Sequence, residues 1–153
     1  MTILFGMPAH ALLVHAIVVL APLVAALEIL CALWPAARSR LVWLNLALAV
    51  AVMVLTPLTI QAGEWLFDQQ PAHSEILKTH QERGEWMIYL AVALLVVAIV
   101  QAFQHRSESR STEPKRMLAV IAAVLAIVVG VGSTIGVVLI GDAGARSVWS
   151  RGK

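Results

Sequence analysis

Charge is scarce in this chain, and so are cysteine and the aromatic residues. Charged side chains make up 13% of its 153 residues, where a soluble domain carries about a quarter. The one cysteine, Cys31, excludes an internal disulfide and a cysteine-based metal site. It falls deep in an apolar run and reads as packing. No nucleophile–base pair, phosphate-binding glycine loop or hydrolase signature is present. That argues against a self-contained enzyme of the soluble type. The net charge of +2 is too small and too divided along the chain to suggest nucleic acid.

What the chain has instead is apolar length. Hydrophobic residues reach 60% and the mean hydropathy is +0.86. They lie in four unbroken runs, without the one-sided period of a soluble amphipathic helix. The runs extend from about Pro8 to Trp34, Leu41 to Ile60, Glu85 to Phe103 and Met117 to Ile140. Each approaches the roughly 20 residues that cross a hydrocarbon core, and in lipid only a structure that satisfies its own backbone survives. The reading is a single all-α domain over 1–153, a four-helix transmembrane bundle. Pro35 and Pro114 read as an exit and an entry, and Pro22 and Pro57 as kinks inside helices. The first run lacks a basic leader and is too long for a signal peptide, so it reads as a retained helix.

Basic residues set the expected orientation. Arg38 and Arg40 lie between runs one and two, and Arg106, Arg110, Lys115 and Arg116 between runs three and four. The other face has Lys78 and Arg83 in its loop, against Glu64, Asp68, Glu75, Glu82 and Glu85. The more basic loops are expected in the cytoplasm, with both termini outside. The tail residues Arg146, Arg151 and Lys153 narrow the margin to six against five.

On this map four of five histidines share the outer face: His10 and His15 early in run one, His73 and His80 before run three. His105 lies on the other. Gln61 and Glu64 end run two on the outer side, and Ser133, Thr134 and Asp142 mark the outer end of run four. A short helix capped by Ser74 is expected to carry Ile76 and Leu77 against the membrane surface and to turn His80 inward. Imidazoles on separate helices suit haem b; with carboxylates they suit a transition metal. His10 and His15, five residues apart, point about 140° apart on a helix, so one is a ligand and the deeper His15 is preferred. Ordinary readings stand beside these: headgroup-level solvation for His10 and His73, a hydrogen bond to the Ser133 or Thr134 hydroxyl for His15 or His80, and an interfacial cap for Glu64.

Two features lie elsewhere. Glu28 sits among apolar residues about two turns from the inner end of run one, where an ionised carboxylate is costly unless partnered. Asn45 lies at similar depth, which suggests a helix–helix hydrogen bond or, as the alternative, a proton relay. In run four, Gly132 and Gly136 form a small-xxx-small face that can pack within the bundle or against a second subunit.

The pattern Gly6-x-Pro8-x-His10 followed by Val14-His15 resembles the opening of the bacterial membrane family known as domain of unknown function 2231, most closely its actinobacterial branch. Gly63-Glu64, then His80-x-x-x-Gly84-Glu85, then Gly141, Gly144 and Ala145 with Val148-Trp149 extend the resemblance over nearly the whole chain. Ala11 stands where the family usually has proline, and Asp142 where its terminal motif has histidine. Relatives that resemble fusions to Rieske or cytochrome-like domains imply membrane redox chemistry. From residues and resemblance together the expected site is His10, His15, Glu64 and His80, with Asp142 as a possible further metal ligand. It would hold haem b between His15 and His80, or else a non-haem metal. The alternative is a cofactor-free accessory subunit of a larger membrane complex, docking through the helix-four glycines and the tail.

Overall fold

A computed structural model describes residues 3–4, 7–70, 75–110 and 116–149; His73, Ser74, Pro114 and Lys115, Gly6 and the residues after 149 lie outside them. A two-residue antiparallel ribbon, Ile3–Leu4 (β1) with Met7–Pro8 (β2), precedes five helices. They are α1 (Ala9–Leu33), α2 (Pro35–Asp68), α3 (Glu75–Glu85), α4 (Met87–Glu108) and α5 (Arg116–Trp149). Four stretches are long and apolar enough to cross a membrane: α1, α2, α3 and α4 taken together, and α5 as far as Arg146. The protein is an all-α four-helix membrane bundle.

The helices overrun the expected bounds. Helix α2 starts at Pro35 rather than near Leu41. Proline's missing N–H costs nothing in a first turn, and it forces the preceding residue out of the helical region. Trp34 accordingly is extended, at φ −128° and ψ 103°, and alone joins α1 to α2. Pro35 therefore opens a helix as well as closing one. Trp86 stays helical, at φ −67° and ψ −18°, between α3 and α4. That continuity carries α3 above the membrane-spanning part of α4, as expected.

In the bundle α1 and α4 each pack on both α2 and α5 and meet across the diagonal, while α3 lies over α5. Small residues face inward: Ala21 and Ala25 on α1, Ala49 on α2, Ala91 and Ala98 on α4, Ala122 and Ala126 on α5. Large apolar ones such as Val19, Leu44, Val54, Ile99 and Val128 face outward. Lipid removes the usual penalty for exposed apolar side chains, so close backbone approach decides which residues turn in. Exposed Trp43 and Trp65 lie about 33 Å apart along α2 at 1.5 Å per residue, the spacing of the two interfacial aromatic belts.

Candidate functional site

At the end of the bundle where α1 begins and α2 ends, the helix termini enclose a cavity of about 650 Å³. Its walls are mostly apolar, with Ile17, Thr56, Met87, Val137 and Ile140 among them, and His10, His15 and His80 line it together with Glu64 and Glu85. The histidines expected on this face thus reach one chamber, except His73, which is outside the described residues.

Two of them are held from behind. The Nδ1 of His10 lies 3.0 Å from the Thr59 carbonyl oxygen of α2, and that of His80 lies 3.2 Å from the Ile140 carbonyl oxygen of α5. A carbonyl only accepts, so each Nδ1 carries the proton and each Nε2 presents its lone pair. A backbone carbonyl behind the ring is the arrangement that orients metal-ligating imidazoles. The two ring centroids lie 6.2 Å apart and the ring planes are inclined by 75°. Each sits on a glycine. A Cβ at Gly63 would fall 2.9 Å from the His10 ring, and one at Gly144 would fall 2.8 Å from the His80 ring.

His15 differs. It lines the cavity but is exposed, and its Nδ1 donates to the Ala11 carbonyl of its own helix. The pair that the fold brings together is His10 and His80, not the expected His15 and His80. Neither His15 nor His80 binds a hydroxyl: Thr134 donates to the Gly130 carbonyl, and the Ser133 hydroxyl has no partner. Glu64 is exposed at the rim. Asp142 is tied to Arg146 one turn along α5, at 2.9 Å, and is not part of the lining. Among the described residues no three His, Cys, Asp or Glu side chains are grouped as a metal-binding set. His105 stacks edge-on against Trp43 at the opposite end. Of the two apolar residues expected on the membrane surface, Ile76 is exposed, but Leu77 turns into the cavity.

The helix-five glycines do not act as one face. A Cβ at Gly136 would strike Leu90 of α4 at 2.5 Å, and Gly130 lies against Ala25 and Ile29 of α1, whereas nothing lies within 4 Å of a Cβ at Gly132. Gly136 is used inside the bundle.

Deeper in the membrane, Glu28 and Asn45 are fully buried, yet no hydrogen bond joins them and neither side chain has a partner. Sequence reasoning missed their neighbours. Gln101 and Gln104 of α4 are also buried. Arg38, expected in a basic loop, is buried and grips Glu108 through one nitrogen at 3.0 and 2.9 Å, while its other donates to the Cys31 carbonyl at 2.9 Å. The available signal was two glutamines three apart at the end of an apolar run, one turn before a glutamate.

These features define a multi-pass membrane protein with a histidine-capped apolar cavity at one membrane face. The chain belongs to the family described as "Predicted membrane protein (DUF2231)", whose family model matches residues 6–152. No curated protein and no solved structure matches it.

Proposed function

We propose that the outer cavity binds a redox cofactor of the haem b type, held by His10 and His80, and that the protein takes part in electron transfer in a bacterial cytoplasmic membrane. The observation that carries this reading is the His10–His80 pair. Two imidazoles that hold one metal through Nε2 would have ring centroids no more than roughly 6 Å apart, given metal–nitrogen bonds of about 2 Å. The separation here is 6.2 Å. Both rings have Nδ1 bound to a main-chain carbonyl, and the 650 Å³ chamber lies within the range of about 300–1,000 Å³ for ligand pockets.

A two-histidine donor set suits haem, which brings its other four nitrogens itself; a non-haem metal needs three or more protein ligands. Haem would supply one-electron chemistry. The chain's own residues would orient the imidazoles through the Thr59 and Ile140 carbonyls, exclude water with the apolar walls, and place Glu64 and Glu85 at the polar rim. His15 would stay a wall residue of the same chamber.

The test is the absorption spectrum and metal content of protein purified from its native membrane. A Soret band is expected, lost in His10→Ala and in His80→Ala and kept in His15→Ala and His105→Ala. Retention of the band in His10→Ala with loss in His15→Ala would restore the His15–His80 pair. Metal without a Soret band, lost in Glu64→Ala, would identify a non-haem site. Colourless, metal-free protein with normally assembled variants would leave the accessory-subunit reading.

A further inference from the structure

A second polar layer lies in the inner half of the bundle, apart from the outer cavity. Glu28 of α1, Asn45 of α2 and Gln101 of α4 are each 0% exposed. Neither carboxylate oxygen of Glu28, neither polar atom of the Asn45 amide and not the Gln101 Oε1 has a hydrogen-bond partner in the protein. The Gln101 Nε2 donates to the main-chain oxygen of Glu28 at 2.7 Å, which fixes Gln101 beside that turn.

Helix geometry brings Asn45 to the same layer. Because α1 and α2 are antiparallel and joined by one residue, Asn45 sits about 7.5 Å nearer the outer face than Glu28. Side chains tilt toward the N-terminus of their own helix. For Glu28 that direction is outward and for Asn45 inward, so the two side chains lean toward the same layer.

The unpaired set is four acceptor oxygens against one donor nitrogen. Acceptors in such excess, buried from water and lipid, call for a positively charged partner. Among the described residues no cation meets these oxygens. On α2 the nearest cation, Arg38, has both terminal nitrogens engaged, by the Cys31 carbonyl and by Glu108 of α4, with only its Nε unpartnered, and Arg106 of α4 is exposed. Helix α5 has no charged residue between Arg116 and Asp142, and α1 has no charged residue besides Glu28. One carboxylate balances one positive charge, so a divalent ion would leave an uncompensated charge in the membrane.

We infer that Glu28, Asn45 and Gln101 form an oxygen-lined intramembrane site for a single monovalent cation, a proton or a sodium ion. The core around Val24, Ala49, Val52 and Leu94 separates the site from the outer cavity, and the Arg38–Glu108 pair lies on its inner side. Exchange therefore takes place through the inner face, past that pair.

The test uses full-length protein in lipid nanodiscs treated with dicyclohexylcarbodiimide, an apolar reagent that modifies protonated carboxyls, with the modified peptide identified by mass. Modification at Glu28 is expected at low sodium. If sodium suppresses it, with choline holding ionic strength constant, the occupant is sodium; if modification ignores sodium and declines as pH rises, the occupant is a proton. Asn45→Ala and Gln101→Ala should weaken the sodium protection or displace the pH profile. Glu28 that is never modified, or is modified equally at every sodium concentration and pH, would overturn the inference. Should a variant fail to fold, the profile of the unaltered protein decides alone.

Discussion

Gly63 and Gly144 matter because of what stands over them. Alanine at either position would push its methyl to 2.9 or 2.8 Å from an imidazole carbon, inside contact distance, and the ring is tethered through Nδ1 to a carbonyl. Overpacking of this kind costs about 1–3 kcal/mol. Gly63→Ala and Gly144→Ala are expected to lower the thermal midpoint in detergent and to lose whatever His10 and His80 hold. Gly132→Ala, with nothing within 4 Å, should be neutral or stabilising by about 0.5–1 kcal/mol, as for glycine in any helix interior. Equal losses at all three positions would show that glycine is needed for helix flexibility and not as a seat. The histidines were legible as a set because helix ends deliver them to one face. Which two would meet was not, since facing depends on how α3 lies over α5, and no local spacing encodes that. His15 looked better by depth, but its ring folds back onto the Ala11 carbonyl.

The four spans could be read from their apolar length, but the faces they turn to one another could not be read from polarity. All sides of these helices are apolar, so size replaces polarity as the sorting variable, and alanine at positions such as 21 and 25 or 122 and 126 marks the inner faces. Helix ends were misjudged for a related reason. Polar residues past an apolar run suggest a loop, yet α2 begins at Pro35 because Arg38 finds Glu108 and a carbonyl inside the bundle. This pair ties the α1–α2 corner to the end of α4, and Gln104 adds a hydrogen bond to the same carboxylate at 2.9 Å. Arg38 has 5% of its side chain exposed and Glu108 35%. Removing one partner of a buried pair costs about 3–5 kcal/mol, and the half-open carboxylate brings the expected loss for Arg38→Ala to roughly 2–3 kcal/mol. The double variant Arg38→Met, Glu108→Leu should recover much of it, because neither charge is then stranded. Unfolding followed by tryptophan fluorescence in mild detergent would measure both. A double variant as unstable as the single one would mean that the pair contributes attraction and not merely mutual neutralisation.

At the scale of the whole molecule the two ends differ in charge, and the difference predicts which way the bundle sits. One end gathers Arg38, Arg40, Arg106, Arg110 and Arg116 among the described residues, while the other, at the histidine cavity, holds Glu64, Asp68, Glu75, Glu82 and Glu85 against Lys78, Arg83 and Arg146. Short loops rich in lysine and arginine stay in the cytoplasm, and acidic residues weigh little in that rule, so the basic excess carries the prediction. Pairing does not reverse it: Glu108 neutralises Arg38, but Glu75 does the same for Lys78 and Asp142 for Arg146. The histidine cavity would then open on the outside and the Glu28 layer would exchange with the cytoplasm. Ser39 and Gln69 are exposed at opposite ends of α2, and the native Cys31 is buried and contributes little background. In intact cells a membrane-impermeant thiol reagent should label Gln69→Cys at once and Ser39→Cys only after permeabilisation. Labelling in the reverse order would turn the molecule over, placing the histidine cavity on the cytoplasmic side and the mouth of the Glu28 site outside, while leaving every contact within the bundle unchanged.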